Sequence, residues 1–204
     1  ACCRIDRCDT VHLFICHMPS MRGGATESQW KRDAAKQVLQ HAVDSVLALH
    51  PVAKIIVMGD MNCGPTDDIV GLHNRMMSLA QQGKGTHKWQ GQWTCLDQFY
   101  TSTTLDSVSD VRIYDAEMIM EEDRKYMGLK PKRTFAGFRY QNGYSDHLPI
   151  VMDVKMQQMV QSQEKMTITK ISQKQTSMIM CYQRVQKETF LPGQNQTILI
   201  LCQS

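Results

Sequence analysis

The chain has 204 residues, of which 42% are apolar and 21% charged; this suits a globular domain with a core and excludes a disordered polyelectrolyte or a large multidomain assembly. Its formal charge is +3, but residues 155–204 hold six Lys/Arg and two Asp/Glu, leaving 17 against 18, or −1, in residues 1–154. A uniformly basic nucleic-acid footprint is thereby excluded, and no apolar run approaches the roughly 20 residues that a spanning helix needs.

Residues 1–8 lack the apolar core of a signal peptide and the pattern of a transit peptide. With Ala1 where an initiator Met would stand, the chain reads as truncated, and no localisation signal can be read from it. Residues 10–16 are β-branched and apolar enough for a buried strand, which stops at the turn-rich segment from His17 to Gly24. Residues 26–29 (Thr-Glu-Ser-Gln) fit a capping box, and Trp30, Ala34, Val38, Ala42, Val46 and Leu49 predict the buried face of a helix running to about His50. Residues 53–58 predict a second buried strand, with Gly59 opening a loop.

A second helix is expected over 67–82, a polar connection over 83–92, strands over 93–100 and 111–114, and a short helix near 121–127. Residues 128–147, rich in Gly, Pro, cations and aromatics without periodicity, read as a long functional loop, closed by a strand over 148–154. Beyond Lys155 the composition shifts to Gln and Met, and the tail is either β-prone, with strands at 167–172, 178–185 and 197–202, or disordered. The eight Cys fall at irregular positions without a CxxC pair, which argues against a disulfide framework or a structural zinc site. Cys16, Cys63 and Cys95 read as buried apolar residues.

Four polar clusters fall in the loops just after, or within, predicted strands: His17, Asp60 with Asn62, Asp97, and Asp146 with His147. In an α/β sheet such loop ends converge on one edge, where ligand sites form. The runs that contain them are His17-Met18-Pro19-Ser20 with Gly23 and Gly24, Gly59-Asp60-Met61-Asn62, Trp93-Thr94-Cys95-Leu96-Asp97, Arg133-Thr134-Phe135, and Gly143-Tyr144-Ser145-Asp146-His147-Leu148-Pro149. In this order they resemble the second half of the endonuclease/exonuclease/phosphatase superfamily, the fold of deoxyribonuclease-like and inositol-phosphatase-like enzymes. The pattern is most similar to secreted-type bacterial members, whose parent protein would be secreted or periplasmic. Cys16 departs from it, standing where such sequences commonly carry Asn.

The resemblance implies a partial α/β sandwich, a mixed sheet with flanking helices. A complete member needs roughly 250 or more residues for two packed sheets. The chain then divides into an unmatched stub, 1–8, a catalytic half-domain, 9–154, and the tail, 155–204. The early strands that supply an Asn and a metal-binding Glu are missing from it, together with the acidic partner expected for His17.

The implied activity is metal-dependent phosphoester hydrolysis of the phosphodiesterase or nuclease type, and the residues make chemical sense in it. Asp60 is the expected general base toward water, and Asn62 is expected to donate its amide to a nonbridging oxygen. His147 contacts the scissile phosphate with Asp97 as its carboxylate partner, Asp146 faces a metal or water, and His17 is a second imidazole on the phosphate. A site of carboxylate, amide and imidazole groups without thiolates suits Mg2+ or Mn2+.

Lys130, Lys132, Arg133 and Arg139, interleaved with Phe135, Phe138, Tyr140 and Tyr144, form a basic and aromatic stretch beside His147. It reads as a phosphate clamp, with Arg133 first because a guanidinium matches phosphate bidentately; Lys132 and Ser20 are the other expected substrate contacts. Nucleic acid and small phosphodiesters or monoesters both remain open as substrates, and no protein partner is implied. The competing class is an inactive fragment or noncatalytic binding module that lacks the metal-binding Glu. A cysteine hydrolase built on Cys16 and His17 is disfavoured, because adjacent strand residues point to opposite faces.

Overall fold

The computed structural model describes residues 2–5, 9–65, 69, 71–105, 108–154 and 196–200. Strands β1 (Cys2–Ile5) and β2 (Asp9–His17) pair antiparallel, so residues 2–5 lie in the sheet. Helix α1 (Gln29–Leu49) then carries the chain over to β3 (Lys54–Asp60), which runs parallel to β2 in a βαβ unit. There follow β4 (Leu72–Asn74), α2 (Met77–Gln81), β5 (His87–Trp89), β6 (Gln92–Thr94), β7 (Asp97–Ser102) and β8 (Val108–Ile113). After a 3-10 turn come β9 (Met120–Glu122), β10 (Leu129–Pro131), β11 (Phe135–Ala136), β12 (Arg139–Tyr140), β13 (Ile150–Val154) and β14 (Gln196–Ile200).

Two sheets carry the fold: a mixed five-stranded one in the order β1-β2-β3-β7-β4, and an antiparallel one in the order β14-β13-β8. Strand alternation separates their faces. Val11 and Leu13 of β2, Ile56 and Met58 of β3 and Phe99 of β7 meet Ile150, Met152 and Val154 of β13 in one core. The intervening Ile55, Val57 and Tyr100 pack with Leu39 and Val43 of α1 in a second core. The layers are therefore helix, mixed sheet, antiparallel sheet, as expected for an α/β sandwich.

Several local expectations are corrected. In α1 the residues that bury are Arg32, Leu39 and Val43, with Ala35, Val46 and Leu47 alongside, while Trp30, Val38 and Leu49 are exposed. Each i+4 step overshoots a full turn by about 40°, so a stripe chosen by repeated steps of four drifts by roughly 160° from Trp30 to Val46. The capping box does not form. Ser28 stands at the N-cap, its hydroxyl donating to the Gly24 carbonyl oxygen at 2.6 Å and accepting from Arg32 at 2.9 Å.

Among the described residues of 67–82, Leu72–Asn74 pairs with β7 and only Met77–Gln81 is helical; Gly71, at φ 81°, stands just before the strand. Residues 66–68 and 70 lie outside the described residues. The single strand expected over 93–100 is two, because β6 pairs with β5 whereas β7 pairs with β3, and the chain changes partner at Cys95 and Leu96. No helix forms at 121–127: β9 pairs with β10, and the Asp123 carboxylate accepts from the Lys125 and Tyr126 amides in an Asx-type turn. Residues 128–147 contain β10 and the β11–β12 hairpin rather than one irregular loop. In the tail, β14 pairs with β13, close to the strand expected at 197–202. The strands expected at 167–172 and 178–185 lie outside the described residues.

Gly59 continues β3 instead of ending it, and at φ 127° a Cβ there would sit 2.0 Å from the Cys16 carbonyl oxygen. Only glycine lets β2 and β3 approach at this rung, which immediately precedes the His17–Asp60 pair. Gly59→Ala is expected to destabilise the fold by about 3 kcal/mol or more through clash and strain together. Gly83→Ala, at φ 75° with nothing within 4 Å of its Cβ among the described residues, should cost about 1–2 kcal/mol. Urea unfolding midpoints of the two variants check this, and equal midpoints would contradict the close approach.

Candidate active site

The site begins as a single row across three strands. His17 is the last residue of β2, Asp60 the last of β3 and Asp97 the first of β7; His17 is the register partner of Asp60, and Asp60 of Asp97. Strand alternation puts all three on the face toward the second sheet. His17 Nε2 lies 3.6 Å from Asp60 Oδ2, so the carboxylate beside His17 is supplied by the neighbouring strand.

Asn62 closes the turn after β3 in the left-handed region, at φ 48°, a conformation that Asn tolerates better than most residues. Its backbone amide donates to Asp60 Oδ1 at 2.8 Å. Its side-chain Nδ2 donates to Asp60 Oδ2 at 3.0 Å and to the Met18 carbonyl at 2.9 Å. Both amide hydrogens are thus engaged in holding Asp60 and the start of the loop after β2.

His147 arrives from the segment before β13, and its Nδ1 hydrogen bonds to Asp97 Oδ2 at 2.7 Å, with both side chains buried. Thr86 sets this contact. Its hydroxyl accepts from the Leu96 and Asp97 amides, both at 3.2 Å, and its carbonyl accepts from the Leu148 amide at 2.7 Å. One fully buried residue, through its hydroxyl and its backbone carbonyl, therefore ties the strand carrying Asp97 to the segment carrying His147.

His87 follows Thr86 and was not singled out by the sequence. It forms an isolated bridge with His147, and the two rings lie 4.8 Å apart at 42°. The next residue, Lys88, points the other way, donating to the Met127 carbonyl at 2.7 Å and lying 3.1 Å from Asp123 Oδ2 in a buried ion pair. The sequence signal for this hairpin is the alternation over 87–94 around Gln90 and Gly91, both at positive φ as in a type I′ turn. Nothing comparable marks Thr86.

The electrostatics follow from burial and juxtaposition. Burial raises the Asp60 pKa and the Asp97 charge raises it further, against lowering by His147, the Asn62 amide and His17. Burial works to lower His147, but the Asp97 hydrogen bond and the charges of Asp97, Asp60 and Asp146 outweigh it and push His147 up to about 9. His87 is pushed down to about 4 by burial first, then by the His147 and Arg133 charges, against Asp146 and Asp97. Two neighbouring imidazoles thus differ in charge at neutral pH: His147 is cationic and His87 neutral.

Asp60, Asp97 and His147 present ligand atoms within 4.8 Å of one another, and so do His87, Asp146 and His147. Cationic His147 has no lone pair to offer, so the carboxylates, with neutral His87 and no thiolate, make the donor set that fits a hard divalent cation. Cys16, pushed up to about 11 by burial, is a protonated thiol at neutral pH and no nucleophile. Cys63 and Cys95 are buried, as expected.

Of the expected substrate contacts, Arg133 is half-buried at the edge of the cluster, its Nη2 3.5 Å from the Lys88 carbonyl. Lys132 is half-buried, its carbonyl accepting from the Tyr144 and Ser145 amides. Ser20 is exposed on the loop after β2, and its hydroxyl accepts from the Arg22 amide at 3.3 Å.

The sequence profile described as Endonuclease/Exonuclease/phosphatase family matches residues 4–156. No curated protein matches the chain. The crystal structure of truncated Caenorhabditis elegans TDP2 is similar to it with a TM-score of 0.45 and 20% identity, covering 71% of this chain and 53% of that one. The chain thus spans about half the length of that structure.

Because His147 is raised in the fold, its ion pair stabilises in full below its ordinary value of about 6.5, and that contribution is lost as pH climbs toward about 9. His87 is lowered, so its contribution holds above about 6.5 and is lost as pH falls toward about 4. In metal-free protein, melting temperature followed against pH should decline on both sides. Asp97→Asn should flatten the alkaline limb and His87→Phe the acid limb. A wild-type alkaline limb no steeper than that of Asp97→Asn would contradict the assigned ion pair.

Proposed function

The chain belongs to the endonuclease/exonuclease/phosphatase family, and from this premise we propose that it is a phosphoester hydrolase of the phosphodiesterase or nuclease type, with the His17–Asp60–Asp97 row and His147 as its reaction centre. The observation that carries the proposal is the buried juxtaposition of Asp60 and Asp97 beside a cationic His147. A structural role alone gives no reason to face two carboxylates across a strand pair, where like charges are destabilising.

In this reading Asp60 accepts the proton of the attacking water as its oxygen bonds to phosphorus, and the raised carboxyl pKa makes it a better base than an exposed Asp. Asn62 is a positioning residue, since its amide is spent on Asp60 and Met18; it takes that role in place of the phosphate contact expected from the sequence. His147 donates a charge-assisted hydrogen bond to a phosphoryl oxygen as negative charge builds there, and Asp97 holds its tautomer and cationic state. His17 stands on the other side of Asp60 as a second imidazole toward the phosphate.

Asp146, grouped with His87, would hold Mg2+ or Mn2+, which when bound would neutralise charge on the phosphoryl oxygens. Arg133 and Lys132, at the rim, orient the substrate phosphate. Ser20 is the outermost proposed contact, on the loop that Asn62 anchors through Met18.

Asp60→Asn and His147→Ala should each lower turnover of bis(4-nitrophenyl) phosphate on the order of 100-fold to 10,000-fold. Undiminished turnover in either variant would remove the assigned role, and a wild-type protein without turnover would favour the noncatalytic binding module. Chelation of divalent cations should stop the reaction, and Mg2+ or Mn2+ should restore it. Restoration by Zn2+ alone would overturn the metal assignment.

A further inference from the structure

Beside the reaction centre the β11–β12 hairpin projects with its rings uncovered. Phe135 and Tyr140 are cross-strand partners whose rings meet edge to face at 5.5 Å, and Phe138 is fully exposed at the turn. Tyr144 is exposed on the segment after β12, and Trp89, exposed on β5, shares the strand face of His87. Rings grouped in the open and rimmed by polar residues mark an interaction site rather than ordinary surface.

The charges around them select the partner. Residues 129–145 contain Lys130, Lys132, Arg133 and Arg139 and no acidic residue, although residues 1–154 carry −1 overall. The hairpin is joined to the site at its base. Lys132 accepts from the Tyr144 and Ser145 amides, Thr134 Oγ1 donates to the Tyr144 carbonyl at 2.6 Å, and the chain then runs directly into Asp146 and His147. A Cβ on Gly143 would lie 2.2 Å from both the Lys132 and Arg133 carbonyl oxygens, so the base closes as tightly as backbone allows.

Phe135, Phe138, Tyr140 and Tyr144 are four exposed rings within ten residues, more than a single nucleotide or headgroup can cover; a strand of several stacked bases can cover them. We infer that the β11–β12 hairpin is a stacking platform for single-stranded nucleic acid, which leads a phosphodiester of that strand to His147. This rests on the hydrolase reading of the same site and names its substrate class.

Each ring offers a face to an unpaired base, and Lys132, Arg133 and Arg139 follow the phosphates. A duplex hides its base faces and would meet only the few cations. A lipid surface would take up Phe138 at the turn, but it gives the rings of Phe135, Tyr140 and Tyr144, exposed behind that turn, nothing to stack on, and the Tyr140 hydroxyl is already bonded to Asn142 Oδ1 at 3.2 Å.

The test is fluorescence anisotropy of a short labelled oligothymidylate with the full chain, in chelator so that nothing is cleaved. Phe138→Ala and Tyr140→Ala should each weaken binding on the order of 10-fold to 100-fold, Phe138→Trp should retain it, and the matching duplex should bind more weakly. Unchanged affinity in the Ala variants, no binding by wild type, or ring-dependent binding to phosphatidylserine vesicles in place of the oligonucleotide would overturn the inference. Turnover of bis(4-nitrophenyl) phosphate by wild type with Mg2+ is measured in parallel. Turnover with ring-independent oligonucleotide binding removes the platform and keeps the hydrolase; ring-dependent binding without turnover keeps strand binding and removes the hydrolase.

Discussion

Two carboxylates opposed across β3 and β7 set the terms for everything around them. Asp60 and Asp97 are register partners, both buried, and like charges in that position repel. A fold tolerates this only by placing cations and hydrogen-bond donors against both groups. The Asp97 side takes the His147 imidazolium, and the Asp60 side takes two donors from Asn62 with His17 nearby. The compensation is unequal. His147 is held charged, whereas Asp60 remains raised, so the acidity and basicity of the site are divided between two residues by their surroundings.

The scaffold keeps that division in place with few parts. Gly59 permits the close approach of β2 that brings His17 beside Asp60. Thr86 spans the gap between the two sheets' connections, so Asp97 and His147 cannot separate without breaking buried bonds. The β5–β6 hairpin is seated by the Lys88–Asp123 pair on one face and sets His87 against His147 with the other. Reaction-centre geometry is therefore set mostly by backbone register and by groups that never contact substrate.

Residue identity and spacing reveal the reaction centre better than its supports. Gly59-Asp60-Met61-Asn62 and Ser145-Asp146-His147 are short runs in which turn chemistry and reactive groups coincide, and the structure does bring them together. Thr86 and His87 carry no such mark, because their importance comes from partners about ten and sixty residues away in sequence. The α/β layering is legible from β2, α1 and β3, whose apolar runs are long. The face of α1 is not legible from steps of four, and the break between β6 and β7 depends on which strand each half finds as a partner, a tertiary fact.

Reaction and recognition are held by different kinds of structure. The row from His17 to Asp97 sits at the edge of a packed sheet, where a small displacement would disturb both cores and leave buried charge uncompensated. The β11–β12 hairpin stands outside both cores and is secured at its base by backbone hydrogen bonds, so Phe138 can change without disturbing a buried contact. Substitutions on the ridge therefore act on what the protein holds, and substitutions in the row act on whether it reacts and whether it folds. The physical reason is burial: where a charge is desolvated, its partners and its stability are inseparable, and where a ring is open to water, they are not.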